Sequence, residues 1–330
     1  MNPPLATNPN ERDATEDAPH LSVVVAVGKR RERIGRMLRA LSDQSWNGAF
    51  EIVLVDTTDL DLDVDSPLQD VIRHVRAPAG TLPGRARHAG YRVSSGHLVA
   101  FLEDHCFPEP AWMESIVRRH LEPWAAVAYV FRNGSPDTYL SRSVLLAEYG
   151  HWLFPAEGGP ASSLPGSNVA YKRVALEQYG DQLGQLLEAD FHLHQALRGN
   201  GAAFFVEPGA VVQHESYRRF SELLISHLLF CRLQATRRVD ARRWGAFRRL
   251  AAGLAVPALL PAVQVSRIFW SQQTTSRKRR LLLAFPILYC ICQFDAIGEA
   301  LGFLFGEGDA ARRFARHEID AERSKIDALY

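Results

Sequence analysis

Between residues 21 and 55 the hydrophobic period of the chain switches from that of a strand to that of a helix and back again. Leu21 to Val27 is a short run of mostly β-branched residues. Glu32 to Ser42 then places Ile34, Met37, Leu38 and Leu41 at i, i+3, i+4 and i+7, and Glu51 to Val55 is again strand-like. A strand, an amphipathic helix and a second strand in this order form a βαβ unit. Its two strands run parallel, because a helical crossover returns the chain to the same end of the sheet. The opening of the chain is thereby committed to an α/β sheet covered by helices.

The same alternation continues. Val71 to Val75 is a further strand candidate, Gly84 to Ser94 reads as a helix, and Leu98 to Leu102 is a strand. Ala125 to Phe131 and Phe204 to Val206 read as later strands, with a helix at Asp190 to Arg198 between them. Gly96 is expected to stop the helix before the fourth strand, and Pro108 and Pro110 to prevent that strand from continuing. With 330 residues, 47% of them hydrophobic, the chain suffices for one large α/β domain plus an appendage. A net charge of +1 argues against a dedicated nucleic-acid binder, whose surface must neutralise phosphates. Cys106, Cys231, Cys290 and Cys292 have neither zinc-ribbon spacing nor the density of a disulfide scaffold, so reduced thiols in a cytosolic setting are expected. Residues 1–20 are polar, Pro-rich and acidic, without the basic start or apolar stretch of a signal peptide, and read as a disordered leader.

Chemistry concentrates where strands end. In His97 to Pro110, HLVAFLEDHCFPEP, an apolar run stops at Glu103, Asp104 and His105. Such a segment is either a strand followed by a polar turn or a cation site at the carboxyl edge of a parallel sheet, where open α/β folds place their ligands. Carboxylates suit Mg²⁺ or Mn²⁺, and an imidazole keeps Mn²⁺ or another transition ion available, with a phosphate-bearing substrate as the natural companion. The second strand ends in Asp56, which reads as a turn residue or as a hydrogen-bond acceptor for a nucleotide. Pro83 to Gly90 opens a helix with Arg85 and Arg87, which are either solvated or poised for a diphosphate at the helix N-terminus. No GxGxxG follows the first strand and no GxxxxGK[ST] occurs, which disfavours a dinucleotide fold and a P-loop.

In order, SVVVAV, EIVLVD, GRARHAG, GHLVAFLEDH, PGSNVAYKR and LLEADFHLHQALRGNG resemble the motifs of a family 2 glycosyltransferase of the GT-A fold, over about Leu21 to His214. The resemblance implies a Rossmann-like, mainly parallel central sheet with flanking helices. It also implies an inverting transfer of one sugar from a nucleotide-diphosphate sugar, with Mn²⁺ or Mg²⁺ and a carboxylate base. Carried over by position, Asp56 contacts the nucleotide base, Arg87 lies near the nucleotide, and Glu103, Asp104 and His105 occupy the acidic metal motif. Its usual opening and closing aspartates are here Glu103 and His105. Strand alternation aims Glu103 and His105 to one side and Asp104 to the other. Histidine binds Mn²⁺ through a neutral nitrogen but brings no negative charge. Counting back from Leu197 and Gly201 puts the family's Glu-Asp pair at Ala189 and Asp190, so Asp190 is the expected base and Glu188 the fallback. Gly166, Ser167 and Asn168 match the loop near donor sugar and acceptor, and His214 a position that completes the metal or diphosphate site. His192 and His194, two apart on a helix, do not share a face and are assigned no metal.

Asp240 to Trp244 is similar to the QxxRW signature of processive polysaccharide synthases, but the glutamine is missing, and a non-processive enzyme is expected. A catalytically silent GT-A module is the alternative, supported by the Glu103 and His105 replacements and the absent Glu before Asp190. A nucleotidyltransferase is disfavoured, because Gly28 to Arg31 is not a glycine-rich, lysine-bearing loop. The boundaries expected are a glycosyltransferase domain over 21–218 and a helical region over 219–330. In the latter, Phe220 to Arg238 reads as a partly amphipathic helix, followed by apolar stretches Leu250 to Val265 and Leu281 to Phe305. Pro257 and Pro261 are expected to break the first, and Pro286, Asp295 and Glu299 interrupt the second. If both stretches crossed a bilayer, Arg277 to Arg280 would lie opposite the basic stretch before Leu250, against the positive-inside tendency. The expectation is helices lying in or dipping into the cytoplasmic leaflet at the cell membrane, with a lipid-linked glycan as acceptor. A soluble helical appendage packed on protein is the competing reading.

Overall fold

The computed structural model describes residues 20–60, 66–271 and 275–320, and the side chains of these except at 271, 275–277 and 320. The leader expected at 1–20 therefore lies outside the described residues apart from His20, and so does the side chain of Arg277.

The strands are β1 (Leu21–Val27), β2 (Phe50–Asp56), β3 (Ile72–Arg76), β4 (Leu98–Glu103), β5 (Cys106–Pro108), β6 (Ala126–Asn133), β7 (Gly159–Ala161), β8 (Val169–Lys172) and β9 (Phe204–His214). The helices are α1 (Arg31–Ser42), α2 (Pro83–Val93), α3 (Trp112–His120), α4 (Tyr139–Tyr149), α5 (Arg173–Glu177), α6 (Leu183–Leu186), α7 (Asp190–Gly199), α8 (Phe220–Arg242), α9 (Ala246–Ser271), α10 (Thr275–Phe305) and α11 (Ala310–Asp320). One sheet runs β3-β2-β1-β4-β8-β6-β9-β5, with β7 beside β9. The β1, β2, β3 and β4 strands are mutually parallel, whereas β8 pairs antiparallel with both β4 and β6, and β5 and β7 antiparallel with β9. The β6 and β9 strands run parallel, so β1, β2, β3, β4, β6 and β9 point one way and β5, β7 and β8 the other, a mixed sheet with most of its strands in one direction.

Strand alternation builds a core on each face. Leu21, Val23, Val25 and Val27 of β1 pack with Leu98, Ala100 and Leu102 of β4 against α1 and α3. On the other face Val24, Val99 and Phe101 pack with Ala86 of α2 and Leu193 and Leu197 of α7. Nearly every residue of β1 and β4 is buried on one side or the other, which explains why these strands read as mostly apolar runs.

Two expected boundaries differ. Helix α2 ends at Val93, with Ser94 as its cap; Gly96 instead presses on β1, where a Cβ would lie 2.6 Å from Ser22 Oγ. Pro108 does not end the sheet but closes β5, an edge strand, where the missing N–H costs least.

The C-terminal helices form a layer of their own. The α10 helix packs along α8, where a Cβ on Gly298 would lie 2.3 Å from the Leu228 carbonyl oxygen and one on Gly302 2.4 Å from that of Arg232. Glycines four apart on one face are what permits this approach. The acids expected to interrupt α10 face α8: Asp295 meets His227 at 2.8 Å and Glu299 meets Arg238 at 3.0 Å. Pro257 and Pro261 do not break α9, which runs continuously through both, as α10 does through Pro286. Helices α9 and α10 are long and apolar enough to cross a membrane by length and composition. Only 11% of the α9 window is buried, against 39% for α10.

Candidate active site

The register of the sheet assembles the site. Val27 is level with Asp56 and Ala26 with Glu103, so the ends of β2, β1 and β4 share one edge. After β4 a two-residue turn carries Asp104 and His105 into β5, and β5 pairs with the end of β9, setting Cys106 opposite His214. The Glu215 N–H donates to the His105 carbonyl at 3.0 Å and locks the two segments together. As a result the His105 and His214 rings lie 4.9 Å apart between centroids, edge to face. One ligand atom from each of Glu103, His105 and His214 falls within 4.8 Å of the others.

Alternation turns Asp104 away from this cluster, towards α1. Its Oδ1 lies 3.0 Å from His105 Nδ1 and 3.6 Å from Nη1 of the fully buried Arg33. Asp104, expected among the ligands, is thus brought to the rear of His105, whose Nε2 lies on the Glu103 side at 3.6 Å from Oε2. Asn168, expected beside the donor, is buried behind Glu103: its Nδ2 donates to Glu103 Oε2 at 2.6 Å and its Oδ1 accepts the Glu103 N–H at 3.1 Å. That pair of bonds aims the Glu103 carboxylate.

A cavity of about 330 Å³ opens in front of the cluster, and Glu103, His105 and His214 line it together with Arg87, Glu188 and Asp190. Asp190 opens α7. Arg87 from α2 grips both its oxygens at 3.2 and 3.3 Å and also donates to the Leu187 carbonyl, while the Ser167 N–H reaches Oδ2 at 3.2 Å. Ser167 takes a left-handed backbone with φ of 63°, and a Cβ on Gly166 would stand 3.3 Å from Asp190 Oδ2, so a small residue is needed there. Glu188 is bound by Arg85 at 3.1 Å and by Arg237 of α8, so it ties α2 and α8 to the segment before α7. Asp56 is buried two strands from Glu103, roughly 10 Å away at the usual strand spacing. It does not line this cavity; Arg31 holds its Oδ2 at 2.8 Å, and the Thr58 N–H and hydroxyl hold its Oδ1 at 2.9 Å.

Several cavity residues carry no local sequence signal. Glu148 and Tyr149 come from α4, Ser226, His227 and Phe230 from α8, and Phe314 and Glu318 from α11. Tyr149 OH lies 3.3 Å from His214 Nε2, and burial raises its pKa well above the ordinary tyrosine value. Burial alone would lower the His227 pKa, but hydrogen bonds to Asp295 and Glu148 outweigh it and raise it to about 10. His194, by contrast, is turned into the core, with Nε2 2.8 Å from Tyr171 OH.

A mixed sheet with acidic and imidazole groups at the strand ends and a carboxylate facing them has the Rossmann-like GT-A architecture. Residues 22–180, just under half of the chain, match the model of glycosyl transferase family 2. The validoxylamine A glucosyltransferases of Streptomyces hygroscopicus subsp. jinggangensis (strain 5008) and subsp. limoneus are each 31% identical to it over 116 residues, 33% of this chain. The match spans 28% and 26% of their own lengths. Among solved structures, the mannosyltransferase PcManGT from Pyrobaculum calidifontis, in complex with GDP-Man and Mn²⁺, has a TM-score of 0.54 at 18% identity. The likeness covers 87% of this chain and 88% of that one, and extends to the fold.

Proposed function

We propose that the protein transfers a single sugar, with inversion, from a nucleotide-diphosphate sugar to an acceptor hydroxyl. The observation that carries this reading is that the Glu103, His105 and His214 donors and the Asp190 carboxylate face one cavity at the edge of a GT-A sheet. The donor set fits a divalent cation: one carboxylate and two imidazoles, pre-aimed by Asn168 and Asp104. Bound there, a cation would supply positive charge to the departing diphosphate. The relatives' glucosyl- and mannosyltransferase names, and the GDP-Man and Mn²⁺ in the structural neighbour, support this class of donor and ion.

The chain's own residues do the rest. Asp190 accepts the proton of the attacking hydroxyl, its orientation held by the two-point grip of Arg87 and by the Ser167 N–H. Glu188, engaged by two arginines, positions this segment. Asp56, at the same sheet edge, is within a nucleoside's reach of the diphosphate site, and its recognition of the base requires Arg31 to share it. Tyr149, Phe230 and Phe314 wall the cavity and exclude water.

The layer formed by α9 and α10 supports residence on the cytoplasmic face of a membrane, and with it a lipid-linked glycan acceptor in envelope or exported polysaccharide synthesis. Arg248 and Arg249 stand at the start of α9, near the end of α10, while Arg267, Lys278, Arg279 and Arg280 stand at the opposite end of the pair. Basic groups at both ends suit helices lying in one anionic leaflet, where all of them reach headgroups.

The test offers the purified full chain a panel of nucleotide-diphosphate sugars with Mn²⁺, in the presence of membrane extract as a source of acceptors, beside Asp190→Asn. Donor turnover is expected for one sugar class, with a rate loss of about 10²- to 10⁴-fold in the variant. Failure of every donor to bind or react would refute the enzyme reading and leave the silent-module alternative. Full activity of Asp190→Asn would refute only the base.

A further inference from the structure

We infer that this site is built for a first-row transition ion and discriminates against Mg²⁺, and that Asp104 is the residue that makes His105 a competent ligand. The inference rests on the cavity being a cation and diphosphate site, as proposed above, and adds the identity of the ion and the role of a residue outside the ligand set.

Two of the three converging donors are imidazoles. Mg²⁺ seeks oxygen ligands in a near-ideal octahedron, whereas imidazole nitrogen suits the transition series. Replacing a carboxylate by His105 also removes a negative charge that a hard dication would have used. Only Glu103 among the three is anionic when both rings are neutral, so electrostatic attraction is reduced while nitrogen donation is gained.

A histidine ligand needs its tautomer and ring plane set from behind. His105 Nδ1 lies 3.0 Å from Asp104 Oδ1, so the Nδ1–H donates to the carboxylate and Nε2 is left as the donor on the Glu103 side. This is the carboxylate-histidine arrangement that raises ligand basicity and fixes orientation. Asp104 is in turn held in place by buried Arg33 at 3.6 Å, and the His105 carbonyl is fixed by the Glu215 N–H. The side chain that a simple reading of the motif makes a ligand is therefore a positioning residue, one step behind the ion.

The experiment measures metal binding on the full chain, with and without UDP and GDP, by Mn²⁺ electron paramagnetic resonance and by Co²⁺ visible absorption. Mg²⁺ is then used as competitor. In the wild-type protein, Mg²⁺ at a tenfold excess is expected to leave most Mn²⁺ bound, and Co²⁺ to show the d–d bands of a nitrogen-containing site. Asp104→Asn is expected to weaken Mn²⁺ by about 10- to 100-fold and to alter the Co²⁺ spectrum. Asp104→Glu should recover part of both. Because removing Asp104 leaves Arg33 buried without that carboxylate, His105→Asp provides an independent arm: it should move the preference towards Mg²⁺. Equal competition by Mg²⁺ in the wild type, or a His105→Asp variant with unchanged preference, would overturn the ion assignment. An Asp104→Asn variant that folds and binds Mn²⁺ with wild-type affinity and spectrum would overturn the positioning role. Selective Mn²⁺ binding without turnover of any donor would sink the proposed function while leaving this inference intact, and turnover supported equally by Mg²⁺ would do the reverse.

Discussion

Three buried or half-buried histidines set opposite limbs of the stability curve. His120 and His194 are buried, and burial is the main cause that lowers both to about 4, from an ordinary value of 6.5. The folded protein resists their protonation while the unfolded chain accepts it. Their neutral state therefore contributes full stability above pH 6.5, lost as pH falls from 6.5 towards 4, by about 3 kcal/mol for each. His227 has the opposite sign. Its folded value is raised to about 10, so its contribution is complete below pH 6.5 and is lost as pH rises towards 10. Thermal unfolding across pH 4 to 10 is expected to show greatest stability near pH 6.5. In His120→Gln the acid limb should flatten, and in His227→Gln the alkaline limb should. A wild-type protein most stable at pH 9, or an alkaline limb unaltered in His227→Gln, would contradict the assignment. None of this is legible in the sequence, where His120, His194 and His227 look like any other histidine; burial and partners decide the sign.

At the scale of elements, legibility followed length and periodicity. Helix α1 and strands β1, β2 and β4 stand within a residue or so of the expected spans, because mostly apolar, β-branched runs and an i, i+3, i+4, i+7 stripe are strong local signals. Strands β5, β7 and β8, of three or four residues, exist only because a neighbour completes their hydrogen bonds. Strand β9 reads as Phe204 to Val206 but continues to His214, since the Glu207-Pro208-Gly209 interruption is absorbed by a register shift against β6. That continuation delivers His214 to the site. In the same way the order Glu103, Asp104, His105 was readable as a cluster, and alternation foresaw which side chains diverge, but Asp104's partner Arg33 comes from α1 and could not be found locally. The α10 helix packs on α8 too closely to admit a side chain at its glycines. A side chain at Gly302 would meet the Arg232 carbonyl at 2.4 Å and Ala235 Cβ at 2.7 Å, and neither can yield without moving α8. Gly302→Leu is expected to cost about 3 kcal/mol or more, beyond ordinary overpacking. Gly245→Leu, where a Cβ meets nothing within 4 Å, is the control. Equal denaturation midpoints for the two variants would show that the helices do not pack at this distance.

Over the whole molecule, the C-terminal helices and the α/β sheet are joined by contacts that reach the candidate site. Helix α8 supplies cavity wall through His227 and Phe230 and holds Glu188 through Arg237, α4 packs Leu146 on Leu281 and Leu288 of α10, and Arg33 donates to the Ile319 carbonyl at the end of α11. Cutting the chain near residue 218 would therefore remove part of the site together with the apolar surface, so the surface is better altered in place. Leu254, Leu259, Val263 and Trp270 of α9 are each more than half exposed, at 68, 63, 51 and 74%. Because these side chains are about two-thirds exposed, burying the rest of all four is worth on the order of 4 to 8 kcal/mol, to which the basic groups at both ends of the helix pair would add on an anionic surface. Changing all four to Gln or Ser removes that gain without touching a residue of the cavity or of the α8 to α10 contact. The wild-type chain is expected to float with vesicles containing anionic lipid and to need detergent for release, with high salt only weakening it through the arginines. The quadruple variant should remain with the soluble fraction and keep its wild-type unfolding temperature and metal binding. A variant that still floats would place the lipid contact elsewhere. A wild-type chain that ignores vesicles but forms a stable dimer, dissociated by the same four changes, would assign the face to a second copy of the protein instead.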